Sequence, residues 1–102
     1  MNPIERISRM ESVLRAAEAV LERLGIALED YADLQEELRA LEAYYGSQDW
    51  LDDLDLDRAG GLPRELKRGV LSEDEVYDLL ERESELHARM RELLSRFPEK
   101  QE

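Results

Sequence analysis

The sequence predicts an all-α protein: a long N-terminal helix and a C-terminal helix forming an antiparallel helical hairpin, joined by a compact connector with two short helices. Three observations predict it. Apolar residues keep a heptad phase from Ile7 to Tyr45, a complete set of helix-start signals stands at Leu71, Ser72, Glu75 and Val76, and glycines and a proline cluster between them at Gly46, Gly60, Gly61, Pro63 and Gly69. The whole chain of 102 residues reads as one domain, with the long helix in 1–46, the connector in 47–71, the C-terminal helix in 72–97 and a tail in 98–102.

The first helix is justified by its rows. Ile7, Leu14, Leu21 and Leu28 form one, and Met10, Ala17, Leu24, Tyr31, Leu38 and Tyr45 form another three positions on. A third row, Val13, Val20, Ala27, Leu34 and Leu41, makes the stripe wider than the seam of a two-stranded coiled coil. Gly25 interrupts it, at a cost of about 1 kcal/mol relative to alanine. The heptad phase nevertheless passes from Leu24 to Leu28 without a slip, and Gly25-Ile26-Ala27 supplies no N-cap. One helix from about Pro3 to Tyr45, with a bend allowed at Gly25, is therefore expected in preference to a three-helix bundle broken at Gly25.

In the connector, Gly46 is placed to end the first helix and Ser47 to cap a short turn with an apolar side made by Trp50, Leu51 and Leu54. Asp55 to Gly61 reads as loop, and Pro63 is placed to open a second short helix, Pro63 to Arg68, ended by Gly69. The last helix starts at a capping box, Ser72 with Glu75, flanked by a hydrophobic staple of Leu71 and Val76. It continues through Leu79, Leu80, Leu86, Met90, Leu93 and Phe97 until Pro98 stops it. At about 1.5 Å per residue the first helix reaches roughly 65 Å and the last about 38 Å, so a hairpin leaves the N-terminal stripe uncovered. A homodimer is expected on that ground.

Composition narrows the function classes. Charged residues are 39% of the chain, but the regular apolar spacing assigns them to solvated helix faces and not to disorder. No cysteine is present, which removes disulfides, thiolate nucleophiles and zinc–thiolate sites, and one histidine argues against a structural zinc site. Charges interleave the apolar residues of the N-terminus, as in no signal peptide, and no apolar run approaches the roughly 20 residues of a membrane span. A cytoplasmic protein is expected. Net charge is −12, zero over residues 1–24 but −5 over 48–57 and +3 over 58–72. Most of this surface would repel a phosphate backbone and attract a basic protein partner, so direct nucleic-acid binding and membrane association are not expected.

The connector carries the candidate site. Tyr44, Tyr45 and Trp50 offer an aromatic platform, or else close the end of the hairpin; Asp52, Asp53, Asp55 and Asp57 precede Arg64, Lys67 and Arg68, which they are placed to neutralise within the fold. Asp53-x-Asp55-x-Asp57 resembles the start of a calcium loop, but counting from Asp53 puts Arg58 where glycine is needed and Arg64 where a bidentate glutamate belongs. No metal or cofactor is expected. Glu83 and His87, four apart in the stripe of the last helix, read as a polar pair that fixes register, with Glu83 near Leu38 and within reach of Gln35. No nucleophile or glycine-rich turn adjoins them, so no enzyme is expected.

The run Ala43-Tyr44-Tyr45-Gly46-Ser47-Gln48-Asp49-Trp50, and then Leu62-Pro63-x-x-Leu66-Lys67-Arg68-Gly69-Val70-Leu71-Ser72-Glu73-Asp74, resembles a family of small bacterial proteins known only as a domain of unknown function, DUF4298. The resemblance is specific over residues 43–77. It implies a small bacterial cytoplasmic protein and brings no activity, cofactor or catalytic residue. Gly61 departs from the pattern as an extra glycine before Leu62. The function expected is a protein-interaction module acting through residues 44–74; the alternative is an acidic nucleic-acid mimic that inhibits a DNA- or RNA-binding protein.

Overall fold

A computed structural model describes residues 2–100. Among them the regular elements are all helical: α1 (Pro3–Tyr44), α2 (Gln48–Arg58), a 3₁₀ turn (Gly69–Leu71) and α3 (Glu73–Arg96). The expected tail is irregular over residues 98–100, and its last two residues lie outside the described ones. The chain divides into two compact units, Met1–Leu38 and Arg39–Glu102.

From Pro3 onward the first unit is helix. Asn2 caps it, its Oδ1 accepting from the Glu5 backbone N–H at 2.8 Å while its Nδ2 donates to Glu5 Oε1 at 3.2 Å, and Pro3 takes the first helical position. Proline is suited there because its missing N–H would have had no partner in any case. Gly25 lies inside the helix, as the unbroken heptad phase implies, and a Cβ built on it meets nothing within 4 Å. Gln35 turns back on its own helix, donating to the Tyr31 carbonyl at 3.1 Å. Leu38 is the buried residue of α1. The apolar rows from Ile4 to Leu28 are exposed, with Ile4 at 80%, Ile7 at 67% and Leu21 at 65%.

The second unit is a compact turn-and-helix assembly. Gly46, at φ +78°, takes the left-handed conformation that lets the chain leave α1, and the Ser47 N–H returns to the Tyr44 carbonyl at 2.9 Å. Ser47 then caps α2, its Oγ accepting from the Trp50 N–H at 3.2 Å. Asp49 in the first turn and Arg58 in the last complement the helix dipole.

Here the expected loop at 55–61 is corrected, because α2 continues to Arg58. Its end is a Schellman motif: Gly60, at φ +76°, donates to the Asp57 carbonyl at 3.0 Å, and Gly61 donates to the Leu56 carbonyl at 3.0 Å. A Cβ at Gly61 would meet the Leu56 side chain and approach the Leu56 carbonyl oxygen at 3.3 Å.

The expected helix Pro63 to Arg68 does not form. Pro63 opens a single turn, closed by Leu66 N–H to Pro63 O at 3.2 Å. The Arg68 guanidinium takes the carbonyls of Pro63, at 2.6 Å, and Arg64, at 3.4 Å, which a helix would have offered to the N–H groups four residues on. The second short helix of the connector is instead the 3₁₀ turn at Gly69–Leu71, and it packs against both α2 and α3.

At the start of α3, the Ser72 Oγ accepts from the Glu75 N–H at 3.3 Å. The reciprocal arm of the capping box is replaced, because the Ser72 N–H donates to the Gly69 carbonyl at 3.0 Å and closes the 3₁₀ turn. Val76 is 4% exposed, the most buried side chain of the core, and Leu71 beside it is half-buried. At the far end Phe97 closes the helix, its N–H reaching the Leu93 carbonyl at 2.8 Å, and the Arg96 guanidinium lies over its ring, 5.2 Å from the centroid.

The end of α1 and the beginning of α3 run antiparallel. Tyr45 Oη donates to the Glu73 carbonyl at 3.1 Å, and six residues earlier Arg39 donates to both oxygens of Glu83 at 2.6 and 2.7 Å, ten residues later. Arg39 thus holds Glu83. A planar guanidinium matches both carboxylate oxygens, which an amide cannot.

Candidate functional site

The expected interaction residues lie on two sides of α2, and the helix period decides which. Trp50, Asp53, Leu54 and Asp57 recur at three and four residues and are buried or half-buried; Leu51, Asp52, Asp55 and Leu56 fall on the other side and are exposed.

The inward side explains the aromatic cluster. Trp50 is 8% exposed, its Nε1 donates to the Val70 carbonyl at 2.9 Å, and the Tyr45 ring meets it edge-on with centroids 5.5 Å apart and planes at 74°. Such a pair adds about 0.5–1.5 kcal/mol beyond the area it buries. Tyr44 Oη donates to the Asp53 carboxylate at 2.6 Å, tying the end of α1 to α2. That bond, with lesser contributions from desolvation and the charges of Asp53 and Asp49, pushes the Tyr44 phenol up from 10.0 to about 12. Burial, followed by the charges of Glu73 and Asp74, also raises Tyr45. The aromatics thus close the end of the helix pair.

Arg68 joins the basic segment to the acidic one. Its guanidinium pairs with Asp57 and also donates to the carbonyls of Pro63, Arg64 and, through Nε at 3.3 Å, Leu66. One side chain therefore fixes the path of the chain between Pro63 and Arg68. Arg64 and Lys67, by contrast, are exposed.

The calcium pattern is broken by the helix itself. Asp53, Asp55 and Asp57 stand on α2, where alternate residues are about 200° apart, so Asp53 and Asp57 face Tyr44 and Arg68 while Asp55 faces outward. Among the described residues, no group of three or more His, Cys, Asp or Glu side chains is arranged to hold a metal ion. Glu83 is engaged by Arg39, and His87 stands one turn further along α3.

Asp57 neutralises Arg68 as expected, whereas the hold of Arg68 on the loop carbonyls and the cap at Asn2 were not expected from the sequence. Asn2-Pro3-x-Glu5 carried a signal for the cap, an Asn before Pro with Glu three residues on. No local signal marked the backbone carbonyls that Arg68 takes beside Asp57.

The geometry defines a small all-helical protein whose polar side chains organise a connector around one tryptophan. The chain belongs to the family described as Domain of unknown function (DUF4298), which matches residues 7–93. No curated protein and no solved structure matches it. No helix among the described residues is long and apolar enough to cross a membrane.

Proposed function

We infer that this chain is a non-enzymatic protein-interaction module, and that it docks a partner through the outward side of the connector. One observation carries the reading. The inward side of α2 is anchored by Trp50, Asp53 and Asp57, while its outward side presents Leu51 and Leu56 beside Asp52 and Asp55. A rigid helix face that mixes exposed leucines with carboxylates suits a partner with an apolar patch bordered by basic groups, and Arg64 and Lys67 on the adjoining loop add contacts of the opposite sign. Tyr44, Tyr45, Trp50, Asp53, Asp57 and Arg68 support this face from beneath. The side chains drawn together around them are engaged in packing and ion pairs, which favours a scaffold over a reaction centre.

A second reading has its own support. Asp49, Asp52 and Asp55 are all exposed on α2, a row of carboxylates that suits the phosphate-binding groove of a DNA- or RNA-binding protein. Retention of cellular proteins on the immobilised chain at low and high salt separates the two. The wild-type chain is expected to retain a partner that the Asp52→Lys/Asp55→Lys variant loses, while a Glu81→Lys/Glu85→Lys control on α3 keeps it. Survival of that partner in high salt supports the mixed apolar and acidic face, and release of a nucleic-acid-binding protein by salt supports mimicry. Identical sets of proteins on all three baits would refute docking through α2.

A further inference from the structure

Among its described residues the unit Met1–Leu38 holds only helix α1, and the apolar stripe has no second element of that unit to lie against. Ile4, Ile7, Met10, Val13, Leu14, Val20, Leu21, Leu24 and Leu28 are all exposed. A single helix in water is marginal without packing of its apolar face, so this face calls for a partner.

The charges bordering the stripe say which. At 100° per residue its central row is Met10, Ala17 and Leu24. One border is Glu11 and Glu18. The Arg15 guanidinium lies just outside it and reaches Glu11 at 3.0 Å and Glu18 at 3.2 Å, holding the two carboxylates in line. Glu22 lies beyond them on the same side. The opposite border carries Arg9 and Arg23, with Glu5 about five turns from Arg23 on the same line and Arg6 inside it, and is basic on balance. When two identical helices pair in parallel, each border meets the opposite border of the other copy; when they pair antiparallel, like borders meet. Parallel pairing therefore sets Arg9 and Arg23 of each copy beside Glu11 and Glu18 of the other. Antiparallel pairing sets arginine against arginine and glutamate against glutamate.

We propose that the residue 4–28 segment of α1 is a self-association surface, and that its occupant is a second copy of this chain docked in parallel and in register. The surface shares no residue with the outward side of α2, so the failure of one reading leaves the other standing.

Because the chain has no cysteine, single substitutions report the geometry directly. Met10→Cys and Leu24→Cys are each expected to form a disulfide-linked dimer alone on mild oxidation, since parallel pairing brings identical positions together. Antiparallel pairing about Ala17 would leave each separated from its counterpart by roughly 21 Å, beyond the reach of a disulfide, and would link the two variants only when mixed. Sedimentation of the wild-type chain is expected to give a mass at or above that of a dimer. Arg9→Glu/Arg23→Glu should weaken self-association roughly tenfold at low salt, with circular dichroism verifying that the helix is retained. Mixing it with Glu11→Arg/Glu18→Arg should restore association. A monomeric wild-type chain, cross-linking only in the Met10→Cys and Leu24→Cys mixture, or an affinity indifferent to the charge reversals would each overturn the proposal.

Discussion

Replacing Trp50 with alanine tests whether the connector is a packed element or a string of turns. The side chain is 8% exposed, donates to Val70 and meets the Tyr45 ring edge-on. An aromatic of this size buries on the order of 150–250 Å². At about 25 cal/mol per Å² that burial corresponds to roughly 4–6 kcal/mol. Alanine keeps a little of the area, and water can reach the carbonyl of the exposed Val70, so the expected loss is about 3–5 kcal/mol. Trp50→Phe keeps most of the ring contact and loses the Nε1 bond, for about 1–2 kcal/mol. Urea unfolding followed by circular dichroism measures both, since the substitutions remove the chain's one tryptophan. A loss below about 1 kcal/mol for alanine, or equal losses for alanine and phenylalanine, would refute the packed connector.

Three further outcomes are expected. Tyr44 titrates near 12 in the fold against 10.0 for a free phenol, so its stabilising contribution is complete below pH 10 and is lost as pH rises through 12. Ultraviolet titration should show a late-ionising tyrosine that Tyr44→Phe removes. Arg68→Lys keeps the charge but cannot span Asp57 and the loop carbonyls, and should cost about 1–3 kcal/mol, with faster hydrogen exchange in residues 61–68; Lys67→Ala next to it should be close to neutral. Gly25→Ala enters open space on a continuous helix and should stabilise it by about 1 kcal/mol, read as increased helicity and a higher melting temperature.

The elements that could be read from the sequence are those whose causes are local. Ser47 and Ser72 cap the helices that follow them, Gly46 ends α1, and the heptad phase carries α1 through Gly25, because each depends on residues within a turn or two. The end of α2 was missed because Gly60-Gly61 reads equally as loop or as a Schellman end, and only the bonds back to Asp57 and Leu56 decide. In place of the Pro63 to Arg68 helix, the side chain of its own last residue takes the Pro63 and Arg64 carbonyls, which no residue pattern announces. In the candidate site, composition placed the aromatics and carboxylates together. The helix period of α2 alone separated Asp53 and Asp57, which support, from Asp52 and Asp55, which face outward.

The guanidinium of Arg68 recognises the loop through its peptide oxygens, groups that every amino acid supplies. The course of the loop is consequently indifferent to which side chains it bears. Arg64, Glu65 and Lys67 can change in charge or size while the backbone beneath them keeps its path. A protein built this way can revise the chemistry it displays at one edge by single substitutions, with neither the tryptophan nor the helices having to adjust.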